Sequence, residues 1–228
     1  REKNFGLDNS VVEAITKVVN KHGKIIVLED DLIVSKGFLK FMNEGLNLYE
    51  DDAQVMHISG HVPPLKDVNL PDTFFLRGGT SAWGWGTWQR AWKFFRHKPD
   101  ELYNELSASG RTSEFTFDGN WDYMKLLRWQ IEKPMSAWDI CWYAVVFLKQ
   151  GYGLWPKESL VRNIGHDNSG VHCTEEWWSG VFTLQKILDE VNIEKKTVED
   201  SSLAREALTE FYKFIGKPRL SDTIKKKL

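Results

Sequence analysis

The sequence predicts an α/β fold with a mostly parallel sheet flanked by helices. The first reason is that helical and extended apolar patterns alternate along residues 10–60, which is typical of a sheet with crossover helices. The second is the segment Ile25–Leu28, whose apolar, β-branched residues predict a strand buried on both faces. At 228 residues the chain is long enough for one main core with an appendage.

The first half of the chain has the order helix, strand, helix, strand. The first helix repeats apolar residues on one face, with Ser10 or Asn9 as the N-cap and Gly23 as the stop. An acidic triplet stands where the first strand ends. The four predicted elements are residues 10–21, 25–28, 36–49 and 54–60.

Further along, glycine and proline punctuate shorter elements. The pattern predicts, in order, a loop at 61–72, a short strand at 73–77, a turn at 78–88, helices at 89–95, 121–131 and 138–149, a strand at 154–164, and helices at 175–190 and 201–215. We therefore expect a core over residues 1–174 and a helical C-terminal extension over residues 175–228.

Composition argues against several classes of protein. The net charge is −2, from 30 basic and 32 acidic residues scattered along the chain, so nucleic-acid binding has little electrostatic support.

Cys141 and Cys173 lack the paired spacings of a zinc site or a disulfide framework, which favours a reduced, intracellular protein. The sequence contains neither an apolar run of about 18 residues nor a signal-peptide pattern. We expect a cytoplasmic protein, with Lys225–Lys227 as a solvated tail or, alternatively, a peripheral contact with the inner face of the membrane.

Eleven tryptophans are the unusual feature of the composition. Trp is a costly way to fill a core because its indole N–H needs a partner, whereas its flat face suits stacking on sugar rings or bases. Two interpretations therefore stay open, a Trp-rich core and a carbohydrate or nucleotide ligand.

Glu29, Asp30 and Asp31 form the first candidate site. Open α/β sheets bind ligands at the carboxyl ends of their strands. Three carboxylates there repel one another and resist desolvation, so a positive partner is expected. Mn²⁺ or Mg²⁺ fits, because such ions prefer oxygen ligands and Mg²⁺ in particular is often held by only one or two carboxylates, with phosphates and water completing its shell. The alternative is a solvated acidic loop.

Four sequence motifs occur in the order in which one enzyme family carries them. They are GKIIVLEDDLIVSKGFLKFM, SAWGWGTW, WDICW and NIGHDNSGVHC, and they span roughly residues 4–174. In them the chain resembles GT-A glycosyltransferases, especially the animal N-acetylglucosaminyltransferases that begin complex N-glycans and their bacterial relatives in surface-polysaccharide assembly. The resemblance implies a GT-A-like fold and metal-dependent transfer of a sugar from a nucleotide-diphosphate sugar to a glycan or lipid-linked acceptor.

The resemblance also assigns roles to the acidic triplet. It implies that Asp31 ligates the metal directly. Glu29 and Asp30 would then hold ribose or sugar hydroxyls and metal-bound waters.

The turn around Gly84 resembles a glycine–tryptophan loop that lies against the transferred sugar. Glycine lets the backbone approach a ligand closely, and the indoles of Trp83 and Trp85 are suited to covering a pyranose ring. The alternative is a helix-entry turn packed with core aromatics.

Asp139 is the candidate general base. An inverting enzyme needs a group that takes the proton from the acceptor hydroxyl, and a positioned carboxylate suits that task. Asp139 follows Trp138 at a predicted helix start, and the animal enzymes place their base in a similar tryptophan–aspartate context. This sequence departs from them at Ile140–Cys141, where a second acid and a closing Trp are expected. The alternatives are a capping role for Asp139, or a base at Asp122 or Asp118.

The loop after the last predicted strand of the core is the remaining candidate. Ser169-Gly170 can present backbone N–H groups to phosphate oxygens. The resemblance implies that His172, rather than His166, closes over the diphosphate. His57 and His61 lie near the end of a predicted strand, and we expect both to be structural.

The resemblance thus implies a metal-dependent, inverting glycosyltransferase. A non-catalytic carbohydrate-binding or scaffold module and a nucleotidyltransferase are the alternatives. Members of the resembled family place further strands before the acidic motif to hold the nucleotide base, whereas only 28 residues precede Glu29 here. We therefore expect an N-terminally truncated chain, which could be inactive by itself.

Overall fold

A computed structural model describes residues 5–66, 68–132, 137–165 and 179–216. The helices in these ranges are α1 (Leu7–His22), α2 (Phe38–Leu48), α3 (Gln89–Trp92), α4 (Pro99–Ala108), α5 (Thr112–Phe115), α6 (Tyr123–Glu132), α7 (Trp138–Leu148), α8 (Ser179–Thr183) and α9 (Ser202–Ile215). The strands are β1 (Lys24–Val27), β2 (Leu32–Val34), β3 (Val55–Ser59), β4 (Thr73–Arg77), β5 (Trp85–Trp88), β6 (Tyr152–Pro156) and β7 (Val161–Asn163).

Five strands form one mixed sheet in the order β1-β5-β3-β6-β4, and β2 pairs with β7 apart from it. Within the five-stranded sheet, β3 and β6 pair in parallel and the other pairs are antiparallel. The α/β prediction is confirmed. The prediction of a mostly parallel sheet is wrong.

The strand β5 accounts for that error. We predicted a turn at residues 78–88, but Trp85–Trp88 is a strand that lies between β1 and β3 and runs antiparallel to both. β1 and β3 therefore run in the same direction without pairing. Gly86 permits the insertion, because a Cβ at this position would lie 3.0 Å from the Ile25 carbonyl oxygen and 3.0 Å from Met42 Cε.

β1 lies at one edge of the five-stranded sheet. It is half-buried along its whole length, so the prediction of a strand buried on both faces is wrong. The reason is its position, because the described part of the sheet continues on only one side of β1. An apolar, β-branched segment is consistent with either place in a sheet.

Helices cover both faces of the sheet, and the two outer tryptophans of β5 point to opposite sides. Trp85 packs in one apolar cluster with residues of α1, α4, α6 and α7. Trp88 packs in a second cluster with α2 and donates its indole N–H to the Leu46 carbonyl at 2.9 Å. This alternation follows from the two-residue period of a strand.

The first of these clusters is built around stacked indoles. The rings of Trp85 and Trp138 are 5.6 Å apart at an interplanar angle of 25°, and Trp142 lies 6.2 Å from Trp85 and 5.1 Å from Trp92. All four are buried. The Trp-rich core is therefore the correct interpretation for these four residues.

Several element boundaries differ from the predicted ones. α1 begins at Leu7 after an N-cap at Gly6 rather than at Ser10 or Asn9. Gly23 ends the helix, as predicted, and has a left-handed conformation (φ 80°). The single strand predicted at 154–164 is the two strands β6 and β7. In the region predicted as a helix at 175–190, the structure describes only the short α8, and residues 184–190 are not helical.

The C-terminal helix α9 packs against the sheet at β4. The Ser201 N–H donates to the Phe75 carbonyl at 3.0 Å, and the Arg205 guanidinium donates to the Arg77 carbonyl at 2.9 Å. The helical prediction for 201–215 is confirmed. None of the helices in the described ranges is long and apolar enough to cross a membrane.

Candidate functional site

The acidic triplet occupies the connection between β1 and β2. β2 pairs antiparallel with β7 in a register that sets Leu32 opposite Asn163. The Asn163 amide therefore reaches Asp31, and its Nδ2 donates to Asp31 Oδ2 at 3.3 Å. The Ile164 N–H donates to the Asp31 backbone carbonyl at 2.9 Å. Two strand ends thus meet at one carboxylate, although Asp31 and Asn163 are 132 positions apart in sequence.

Asp31 has an unusual environment. Its Oδ1 is buried and makes no hydrogen bond to any described residue. The second carboxylate oxygen, Oδ2, lies close to the backbone of Gly165. A Cβ at this position would lie 2.2 Å from Oδ2, so only glycine lets the backbone pass this close to the carboxylate. Buried acceptors are rarely left unsatisfied in proteins. With respect to the described residues, Oδ1 therefore has a free lone pair suited to a positive ligand.

The pKa of Glu29 reflects the negative charge of the acidic segment. Its pKa is raised to about 7 by burial, which is the largest cause, and by the negative charges of Asp31, Asp139 and Asp30, in that order. The charge of Asp139 therefore acts on Glu29, although the two residues are more than 100 positions apart in sequence. A bound cation would relieve the repulsion among these four carboxylates.

The residues fit a divalent cation held partly by its substrate. Among the described residues there is no group of three or more His, Cys, Asp or Glu side chains placed to hold a metal by themselves. Mg²⁺ typically takes one or two carboxylates and fills its shell with water and phosphate oxygens. The unsatisfied Oδ1 of Asp31 matches that smaller requirement, with Glu29 and the exposed Asp30 beside it.

Asp139 lines a pocket of about 270 Å³. It lies in the first turn of α7 and is exposed. The aromatic wall of the pocket comes from segments far apart in sequence: Trp83, Trp121, Tyr123, Trp155, Phe182 and Tyr212. The structure thus brings the predicted base and the predicted sugar-stacking residue Trp83 to one cavity.

Two phenols of this wall are paired. The hydroxyls of Tyr123 and Tyr212 lie 2.9 Å apart. Burial raises the pKa of Tyr123 well above its usual value, and it raises that of Tyr212 as well. Both side chains are therefore neutral at physiological pH. One O–H is used in the hydrogen bond between them, and the other can donate to a hydroxyl or carbonyl.

Trp83, Gly84 and Trp85 have separate positions. Trp83 is half-buried and meets the rings of His61 and Phe182 edge-on, at 4.6 and 5.0 Å. Gly84 has φ 63°, and a Cβ there would lie 2.8 Å from a Val161 methyl. Trp85 is fully buried in the core, so its indole is not presented to the pocket. For Trp85 the structure favours core packing over sugar stacking.

His57 and His61 are buried, as expected of structural histidines. His57 is enclosed by the Ser81 N–H and the Trp142 indole N–H, each 3.2 Å from one of its ring nitrogens. Burial lowers the pKa of both histidines to about 3, so neither is charged at neutral pH. His61 differs from His57 because it also lines the pocket, with its Nδ1 3.2 Å from Ser81 Oγ.

The two reserve candidates for the base have local roles. Asp122 Oδ1 accepts the Lys125 N–H at 3.0 Å, which caps α6. Asp118 accepts the Ser113 hydroxyl at 2.9 Å and has φ 56°. Neither lines the pocket that contains Asp139.

The loop predicted to bind the diphosphate lies outside the described residues. This applies to Ser169, Gly170 and His172, and to His166 and Cys173. Gly165, at the end of the described part, donates its N–H to Asn163 Oδ1 at 2.8 Å.

Sequence reasoning missed Asn163, Gly165 and most of the aromatic wall. Asn163 and Gly165 lie in the segment NIGHDNSGVHC, but the sequence assigned roles only to later residues of that segment. The six wall residues come from five segments of the chain, and the only sign of them in the sequence was the count of eleven tryptophans. A search of protein-family models found none that matches the chain, and a search of curated proteins found no match either.

Proposed function

We propose that the protein is a metal-dependent glycosyltransferase that moves a sugar from a nucleotide-diphosphate sugar to a hydroxyl of a glycan or lipid-linked acceptor. The observation that carries the proposal is the buried Oδ1 of Asp31 at the end of β1, which is unsatisfied among the described residues. Asp139, whose charge helps raise the pKa of Glu29 in the same segment, lines an aromatic pocket. The carboxylate oxygen suits a cation with its phosphates, and the pocket suits a pyranose ring.

The acidic segment would hold the donor. Asp31 would ligate Mn²⁺ or Mg²⁺ through Oδ1, with Glu29 and Asp30 near the ribose or sugar hydroxyls. A divalent cation at this position stabilises the negative charge that develops on the diphosphate leaving group. Asn163 holds the other oxygen of Asp31 at 3.3 Å and so orients the carboxylate.

Asp139 would accept the proton. In an inverting displacement, the acceptor oxygen forms a bond to the anomeric carbon while the bond from that carbon to the diphosphate breaks. The hydroxyl proton passes to the Asp139 carboxylate, and the nucleoside diphosphate leaves. Trp83 and the phenols of Tyr123 and Tyr212 would orient the sugar in the pocket, because they offer flat faces and a neutral donor.

Linked binding of metal and nucleotide tests the donor site. We expect Mn²⁺ and UDP, GDP or dTDP to stabilise the protein to heat together much more than either does separately. Asp31→Asn should weaken Mn²⁺ binding by at least the roughly 10- to 100-fold that loss of an outer-shell group costs. The matched control is Asp100→Asn, which changes an exposed first-turn carboxylate of α4 and should have no effect. Equal Mn²⁺ affinity in Asp31→Asn and wild type would overturn the metal assignment.

Transfer assays test the base. With a panel of nucleotide sugars and Mn²⁺, Asp139→Asn should lower kcat by roughly 10²- to 10⁴-fold and leave the KM for the donor unchanged. Metal-independent binding of glycans with no turnover would instead identify a carbohydrate-binding module, which the aromatic pocket alone would also support. Transfer of a nucleotide rather than a sugar would identify a nucleotidyltransferase.

A further inference from the structure

The helix that carries Asp139 has a poor N-cap of its own. Its N-cap residue is Ala137, which has no side chain able to accept a hydrogen bond from the first turn. The first N–H groups of a helix have no partner within the helix. A buried helix start such as that at Trp138 therefore needs acceptors from elsewhere in the molecule.

Asp8 supplies those acceptors from the first turn of α1. Its Oδ2 accepts the Ala137 N–H at 3.1 Å, and its Oδ1 accepts the Trp138 N–H at 3.2 Å. Asp8 is itself buried, with 9% of its surface exposed, and His97 Nε2 lies 3.4 Å from Oδ2. In sequence Asp8 resembles an ordinary acidic residue of a first turn, but the structure places it across two helices.

Two contacts therefore set the start of α7. Asp8 holds the backbone at Ala137 and Trp138, and the Trp138 indole stacks on Trp85 of the central strand at 5.6 Å. Asp139 is the next residue along the helix. Its distance from the acidic segment and its place in the pocket depend on both contacts.

We propose that Asp8 is a positioning residue for Asp139, and this inference rests on the proposed function. Asp8 caps α7 from α1 and thereby keeps the candidate base at the correct distance from the donor site. Because a small misplacement of a catalytic group lowers turnover steeply, the role of Asp8 is visible in kcat rather than in donor binding.

A series at Asp8 tests the proposal. We expect Asp8→Ala to lower kcat for sugar transfer by about 10- to 100-fold with the donor KM unchanged. Asp8→Asn should be intermediate, since its single carbonyl oxygen keeps one of the two hydrogen bonds. The control is Ile15→Val, which removes one buried methyl from the same helix and lowers stability without changing the cap, so its kcat should equal that of the wild type.

Amide hydrogen exchange gives a readout that needs no activity. In Asp8→Ala the amides of Ala137 and Trp138 should exchange at least about 10-fold faster, whereas Ile15→Val should leave their protection relative to neighbouring α7 amides unchanged. Unchanged exchange in Asp8→Ala overturns the cap. Faster exchange with an unchanged kcat, or a kcat loss that Ile15→Val reproduces, overturns the positioning role. A wild-type protein without transfer activity overturns the proposed function and the positioning role of Asp8 with it. The exchange result still shows whether Asp8 caps α7.

Discussion

Replacing Glu29 by Gln removes one charge from the acidic segment while keeping the size of the side chain. Glu29 titrates near 4.5 in an unfolded chain, and burial together with Asp31, Asp139 and Asp30 raises its pKa to about 7 in the fold. Below pH 4.5 both states bind the proton. As the pH rises toward 7 the unfolded state loses it first, so the folded state becomes progressively less favourable.

The size of the effect follows from that shift. Each pKa unit corresponds to about 1.36 kcal/mol, so the full shift has an upper limit of about 3 kcal/mol. Because Glu29 is only half-buried, solvent screening reduces the expected effect to about 1–2 kcal/mol. Glu29→Gln should therefore be more stable than the wild type by this amount at pH 8 and equal to it near pH 4.5.

Urea unfolding in EDTA at the two pH values measures the difference. The control is Glu44→Gln on the exposed face of α2, which should change stability by less than about 0.5 kcal/mol at either pH. Asp139→Asn should also stabilise the protein at pH 8, but by less, since it removes only one of the charges that act on Glu29. A Glu29→Gln variant that gains nothing at pH 8, or gains equally at both pH values, would refute the electrostatic account of the segment.

Two further predictions concern backbone contacts. Gly165→Ala should displace the Asp31 carboxylate, which would lie 2.2 Å from the new Cβ, and weaken Mn²⁺ binding roughly 10-fold by calorimetry. Gly180→Ala, which adds a methyl into open space, is its control, and equal losses in the two would contradict the prediction. Arg90→Lys should cost about 2 kcal/mol in urea unfolding, because the guanidinium donates to three backbone carbonyls at 2.6–2.7 Å. Arg128→Lys, at an exposed tyrosine contact, should cost less than about 0.5 kcal/mol.

The spacing of apolar residues predicts most of the longer helices and strands. The helices α1, α2, α6, α7 and α9 and the strands β1, β3 and β4 lie where spacing of apolar residues predicts them. The sequence did not predict the short elements β2 and α5. They have three and four residues, respectively, which is too few for a repeat of apolar residues to be recognised. α4 was missed although Pro99 and two acids mark its first turn. That omission was avoidable.

The order of the strands in the sheet could not be predicted from the sequence. The alternation of helix and strand correctly implies that β1 and β3 run in one direction, because a crossover helix connects them. It carries no information on which strand lies between them. Trp85–Trp88 takes that place because its alternate side chains fill apolar clusters on both faces of the sheet.

Some features of the candidate site could likewise be predicted from the sequence, and others could not. The sequence by itself identified the acidic segment at the end of β1, Asp139 at a helix start and Trp83 beside a glycine, because local residue types and spacings determine these features. Only the tertiary structure decided that Asp139 acts on Glu29, that Gly165 lies against Asp31, and that Asp8 caps α7. Those contacts join residues more than 100 positions apart. Packing of the core brings them together, and packing depends on the shapes of all the elements at once rather than on the order of residues within any one of them.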